Sequence, residues 1–123
     1  MIEIDRTYVA VALLWAVASM LLGLYMGMAA DNKLQVVHVA MMLVGFVTLA
    51  LYGILFRLWP ELAKSPLART QFWSAQIGAA GIVVGSYFFA TIGSVPLVAV
   101  SSILFIAASA LMAWLFIADS KPA

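Results

Sequence analysis

One histidine, seven methionines and no cysteine define the metal and cofactor chemistry open to this chain. The histidine, His38, lies near the start of VVHVAMMLVGFVTLALYGILFRLWP (residues 36–60), a stretch that is otherwise almost wholly apolar. Met41 and Met42 follow it by about one helical turn, and Met26 and Met28 close the preceding apolar run at the same level. An imidazole with several thioethers is a soft ligand set suited to Cu(I). For haem b, His38 supplies one axial ligand, and a methionine or the His38 of a second copy supplies the other. The structural alternative is a neutral imidazole bonded to a carbonyl or interfacial water, beside methionines that simply fill apolar space. Spacings of four, seven and fourteen residues put Met42, Gly45 and Tyr52 on the face of His38. That face is expected to turn toward protein, because an imidazole in hydrocarbon would lack partners at a cost of a few kcal/mol.

Other polar groups in the apolar runs are few. Gln76 is expected to bond to another helix as packing glue, since its amide needs a partner. The hydroxyls can bond their own helix backbone. A pocket near His38, Tyr52 and Gln76 would be the sign of a small-molecule carrier. The absence of cysteine excludes disulfides, thiolate chemistry and cysteine-held iron–sulfur clusters. Glu3, Asp5, Asp31, Glu61 and Asp119 all lie outside the long apolar runs or at their ends. The membrane-embedded acid on which small proton-coupled exporters depend is therefore missing, as are the parts of a Ser-His-Asp set. The chain reads as non-enzymatic.

The elements that must position these residues follow from composition. Hydrophobic residues make up 67% of the 123 and charged residues 9%, against about 25% charged in an ordinary soluble domain. Mean hydropathy is +1.16. Such a chain cannot cover a water-facing surface, so its environment is the lipid bilayer. A net charge of +1 argues against nucleic acid as a partner. A spanning helix needs about 20 apolar residues, and four runs supply them, at about 8–28, 34–58, 71–92 and 95–118. The acidic opening and the length of the first run predict a retained helix and not a cleaved signal peptide. Asp31-Asn32-Lys33 and Gly93-Ser94 read as turns, and Trp59-Pro60 ends the second run. Ser65-Pro66 reads as an N-cap followed by proline in the first helical position, and Pro96 suits another first turn. Short connections make neighbours antiparallel, which predicts one all-α transmembrane domain over 1–123, an up-down four-helix bundle.

Lys and Arg set the orientation. Arg6, Arg57, Lys64, Arg69 and Lys121 fall on one side and Lys33 alone on the other, which predicts both termini in the cytoplasm. Tyr8, Trp59, Trp73 and Trp114 are expected at that inner interface. Ser19, Gly23 and Gly27 on the first span, and Gly81 and Gly85 on the third with Gly78 nearby, have the small-residue spacing of close helix contact. Either set marks an interior contact of the bundle or a homodimer face.

The segment HVAMMLVGFVTLALYGILFRLWP, followed by SPLARTQFWSAQIG, resembles a group of small bacterial four-span proteins that are similar to a fragment of the haem-copper (cytochrome c) oxidase subunit I. The resemblance covers about the first three spans. On it, His38 matches the first histidine of a His-x-His pair, Gly45-Phe46 a Gly-aromatic step, and Leu51-Tyr52-Gly53 the middle of the motif. Arg57 and Pro60 match its end and Phe72-Trp73 a later pair. Ala40 stands where the second histidine would be, and Gln71 precedes Phe72 where many members have another. Oxidase chemistry needs two haems and a copper, hence several histidines, so one histidine excludes it. The resemblance implies a non-catalytic protein of the bacterial inner (cytoplasmic) membrane. It would be a structural or accessory subunit beside other membrane subunits of a respiratory-type assembly, or a self-associating homo-oligomer. Haem b or copper binding at His38 and small-molecule transport are the alternatives.

Overall fold

The computed structural model describes residues 3–119. Four long helices follow one another: α1 (Ile4–Ala29), α2 (Gln35–Leu58), α3 (Ala68–Ile92) and α4 (Pro96–Asp119). Each is long and apolar enough to cross a membrane. Among the described residues there is no strand. Lipid offers nothing to bond an N–H or C=O, so a spanning segment must satisfy its backbone internally, and an uninterrupted helix does so.

The connections are chemical. Ala30 takes a left-handed conformation (φ 51°), and the Asp31 N–H returns to the Met26 carbonyl at 3.0 Å. The Asp31 carboxylate then accepts the Lys33 N–H at 2.9 Å, which closes the polar turn. Gly93 (φ 69°) ends α3 in the same left-handed way, at a residue type that carries no Cβ penalty. Between α2 and α3 lies a single 3-10 turn, Pro60–Lys64, which the sequence reading missed. Ser65 Oγ accepts the Leu67 N–H at 3.2 Å, and α3 starts at Ala68, three residues earlier than expected. The first helix also begins earlier, at Ile4, and Pro96 is the first residue of α4.

Contacts between neighbours run in opposite directions. Along α1 and α2, Gly53 packs on Tyr8, Gly45 on Trp15, and His38 on Gly23. Along α3 and α4, Gly78 packs on Phe105, Gly81 on Ser101 and Gly85 on Val98. These are two antiparallel hairpins, and their association completes the up-down bundle. Tyr8 and Tyr52 of the first hairpin meet Phe72 and Phe105 of the second, with ring centroids 4.9 Å apart for Tyr8–Phe72 and 6.4 Å for Tyr52–Phe105. Farther along, Val37, Ala40 and Met41 of α2 cluster with Val83 of α3.

α2 departs from a regular helix. Its middle, Met41–Thr48, is π-helical. Thr48 Oγ1 donates to the Leu43 carbonyl, five residues back, at 2.7 Å. At the centre of the π segment a Cβ on Gly45 would lie 2.7 Å from the Trp15 ring. Glycine is what lets the indole approach the backbone there. Tyr8 also departs from expectation: it is fully buried in the core and not an interfacial ring. Trp59, Trp73 and Trp114 are exposed, at the same end of the bundle.

The glycines of α3 face α4, so the interior reading describes Gly81 and Gly85. A Cβ at Gly81 would collide with the Ser101 hydroxyl, and one at Gly85 would lie 2.6 Å from the Val98 backbone nitrogen. Gly23 is likewise interior. Gly27 is exposed with nothing within 4 Å of a Cβ, so it makes no close contact within the bundle. We expect Gly81→Leu to destabilise the bundle by about 1–3 kcal/mol, the usual cost of overpacking. Ala113→Leu, at an exposed position of α4, is expected to change little. Thermal unfolding of both variants in detergent checks this, and equal midpoints would remove the argument for close approach.

Candidate functional site

His38 sits one turn into α2 and faces α1, in a notch made by small residues. Ser19, with no exposed surface, brings its Oγ to 3.0 Å from the imidazole Nδ1 and donates to the His38 carbonyl at 3.3 Å. One turn farther along α1, Gly23 lies against the ring: a Cβ there would be 3.0 Å from Cε1. The Ser19–Gly23 spacing thus makes room for an imidazole between two helices. With Nδ1 engaged by Ser19, Nε2 has no hydrogen-bond partner among the described residues.

The methionines assigned to this ring differ in exposure. Met28 is 79% exposed on the outside of α1, in a shallow depression beside Leu21, Leu24 and Tyr25. Met41 is buried among Val37, Ala40 and Val83. Met26 is buried, and Met42 is partly exposed. Met41, three residues after His38, packs instead toward Val83 of α3. Among the described residues there is also no group of three or more His, Cys, Asp or Glu side chains.

Tyr52 belongs to a different place. Fourteen residues at about 1.5 Å rise put it some 21 Å along α2 from His38. Its hydroxyl donates to Ser109 Oγ of α4 at 2.6 Å, and its ring meets Tyr8 edge-on with centroids 5.9 Å apart. Beside it a groove of about 450 Å³ runs between α2 and α4, lined by Leu55, Ser109, Met112 and Phe116 among others. Neither His38 nor Gln76 lines it. Of the three residues whose shared pocket would mark a carrier, Tyr52 alone borders this groove.

The most developed polar network was missed in the sequence. Tyr8 donates to the side-chain carbonyl of Gln71 at 2.5 Å, and Gln71 Nε2 donates to the Ala108 carbonyl at 3.3 Å. Both Tyr8 and Gln71 are fully buried. Gln71 had been placed at the edge of a span, whereas α3 begins one turn before it and carries it inside. Gln76, expected to be the bonded amide, has a buried Nε2 without a partner among the described residues. The two glutamines exchange roles because Gln71 meets α1 and α4 where a phenol and a carbonyl are in reach.

Compared with known proteins, the chain matches no family model, no curated protein and no solved structure.

The network yields a double-mutant test. Tyr8→Phe leaves one Gln71 acceptor without its donor, and Gln71→Leu takes from the Tyr8 hydroxyl its short acceptor. Each is expected to cost about 1–3 kcal/mol. The double variant should cost measurably less than the two singles together, because it removes both partners. Strict additivity in detergent unfolding would mean that the two side chains do not act as a unit.

Proposed function

We propose that this chain is a non-catalytic, oxidase-subunit-I-like protein of the bacterial inner membrane, working as a structural or accessory component of a larger membrane assembly or as a homo-oligomer. One observation carries the reading. Three sets of polar side-chain contacts join helices: Ser19 to His38, Tyr8 to Gln71 and Ala108, Tyr52 to Ser109. Such groups hold a scaffold in shape. Five of six Lys and Arg residues on one side put both termini in the cytoplasm; of these Lys121 lies outside the described residues.

A second reading, haem b or copper held by His38, is favoured by the unpartnered Nε2. The surroundings of that atom do not fit the group within a single chain. Gly23 packs against one edge of the ring, Met28 is turned outward, and His38 lines none of the grooves described above. The second ligand would be a methionine or the His38 of another copy.

Cross-linking in native membranes followed by purification of the tagged chain is expected to recover defined membrane partners or a defined homo-oligomer. Recovery of the monomer alone would overturn the accessory reading. His38→Ala is expected to lower the unfolding midpoint and leave a folded bundle, because the imidazole serves Ser19. A Soret band in the purified protein that vanishes in this variant would establish the second reading instead. A reporter fused after Ala123 should be active in the cytoplasm; activity only in the periplasm would reverse the orientation.

A further inference from the structure

We infer that the cavity at the helix end carrying the Asp5–Arg57 ion pair binds a phosphoethanolamine group, the headgroup of a zwitterionic phospholipid. The cavity measures about 610 Å³ and is lined by Glu3, Asp5, Phe56, Arg57, Pro60 and Arg69, among others. That size lies within the usual range for ligand clefts, about 300–1,000 Å³. Its four charged groups are two carboxylates and two guanidiniums. Asp5 and Arg57 are paired, with Oδ2 to Nη1 at 3.2 Å. Glu3 and Arg69 are not: the Glu3 carboxylate makes no capping bond to α1, and neither side chain has an ion-pair or hydrogen-bond partner among the described residues. One free anion and one free cation therefore share one cavity.

This charge pattern selects the ligand class. A simple anion gains from the guanidiniums and loses to the two carboxylates at the same mouth. A zwitterion gains from both. Its phosphate suits Arg69, and the exposed edge of Arg57, through the forked donors of guanidinium. Its primary ammonium suits Glu3 as a hydrogen-bond donor. A quaternary choline has no N–H to give and is the poorer fit. The place agrees with the source. The cavity lies at the end of the spans where Trp59 and Trp73 are exposed, the level at which aromatic rings mark the headgroup region. Ile4, Phe56, Pro60 and Ala63 supply the apolar part of the lining, against which the glycerol would rest.

The full chain, purified in detergent, is titrated with phosphatidylethanolamine, phosphatidylcholine or phosphatidylglycerol, and lipid retention is read by native mass spectrometry beside the thermal unfolding midpoint. We expect phosphatidylethanolamine to be retained best and to raise the midpoint most. Glu3→Gln and Arg69→Gln should each weaken its retention by about tenfold, the loss of one charge-assisted hydrogen bond. Lys64→Gln, outside the cavity in the Glu61 pair, should keep the preference. Soluble glycerophosphoethanolamine distinguishes the sources: competition by it shows that the polar group suffices, and a preference seen with the lipid alone shows that the chains are needed as well. Equal retention of the three lipids, preference for phosphatidylglycerol, or an unchanged preference in both cavity variants would overturn the proposal.

Discussion

Two helical hairpins become one bundle through the contact of Tyr8 with Gln71. Within each hairpin, glycine lets the helices approach closely, and a short turn keeps them together. Between the hairpins nothing covalent acts except the segment around the 3-10 turn. The Tyr8 hydroxyl, the Gln71 amide and the Ala108 carbonyl link α1, α3 and α4 in a line. Tyr52 to Ser109 adds α2 at the same level. In hydrocarbon the alternative for each group is another protein partner or none, which gives the arrangement its directional preference. Aromatic edges surround the network: Tyr8 meets Phe72 edge-on and stacks on Phe56, both at van der Waals range. A phenol and an amide at one level therefore fix which faces of the hairpins meet.

The π segment of α2 is a consequence of two demands on one helix. Its first turns must turn His38 toward Ser19 and Gly23, while its last turns must bring Gly53 against α1 and Tyr52 toward α4. A helix of constant pitch would carry its contact face around α1 at a fixed rate. The wider π turns between Met41 and Thr48 reset that phase. Trp15 fills the space opposite, over a glycine, at the middle of the segment. π segments occur often at functional sites; here the segment begins one turn after the single histidine, so the position of the imidazole depends on it.

Much of this was legible in the residues. Four apolar runs, bounded by Asp31-Asn32-Lys33, Trp59-Pro60 and Gly93-Ser94, define four helices with turns in the observed places. The spacing of Gly78, Gly81 and Gly85 marked the side of α3 that α4 covers. His38 faces protein, as the cost of an unpartnered imidazole requires. The losses have physical causes. Regular 3.6-residue spacing grouped His38 with Tyr52, but spacing carries no information about distance along the axis or about a change of pitch. Met28 is grouped with His38 by level and Met41 by one helical turn, and neither fixes direction. Tyr8 reads as an interfacial ring and Gln71 as the first residue of the third span, positions where water is usually in reach. The bundle is closed at that end by Phe56, Leu62 and Leu115, and no water-accessible surface remains on either residue.

The usual rule that large apolar side chains form the core holds only in part here: Tyr8, Leu49, Phe56, Phe72 and Leu115 are buried, but many large apolar residues face outward. Between Tyr8 and Met26 the buried face of α1 carries Ala12, Ala16 and Ser19, and between Phe72 and Val83 that of α3 carries Ala75, Gly78 and Ala79. Leu13, Leu14, Leu21 and Leu24 of α1, like Ile103, Ile106 and Ile117 of α4, are exposed. In water this distribution would expose most of the hydrophobic surface for no gain. In a bilayer the outer surface is already in its preferred solvent, so no hydrophobic driving force separates inside from outside. What remains is dispersion between closely packed backbones and the few hydrogen bonds that only protein can provide. Small and polar residues at the helix contacts then carry positional information, and the large apolar residues on the outer surface carry little. The same reasoning makes the exposed leucines and isoleucines uninformative about partners, since lipid alone accounts for them. It concentrates the distinguishing chemistry of the chain at His38 in its notch, at Tyr8 with Gln71, and at the charged end where α1 meets α2 and α3.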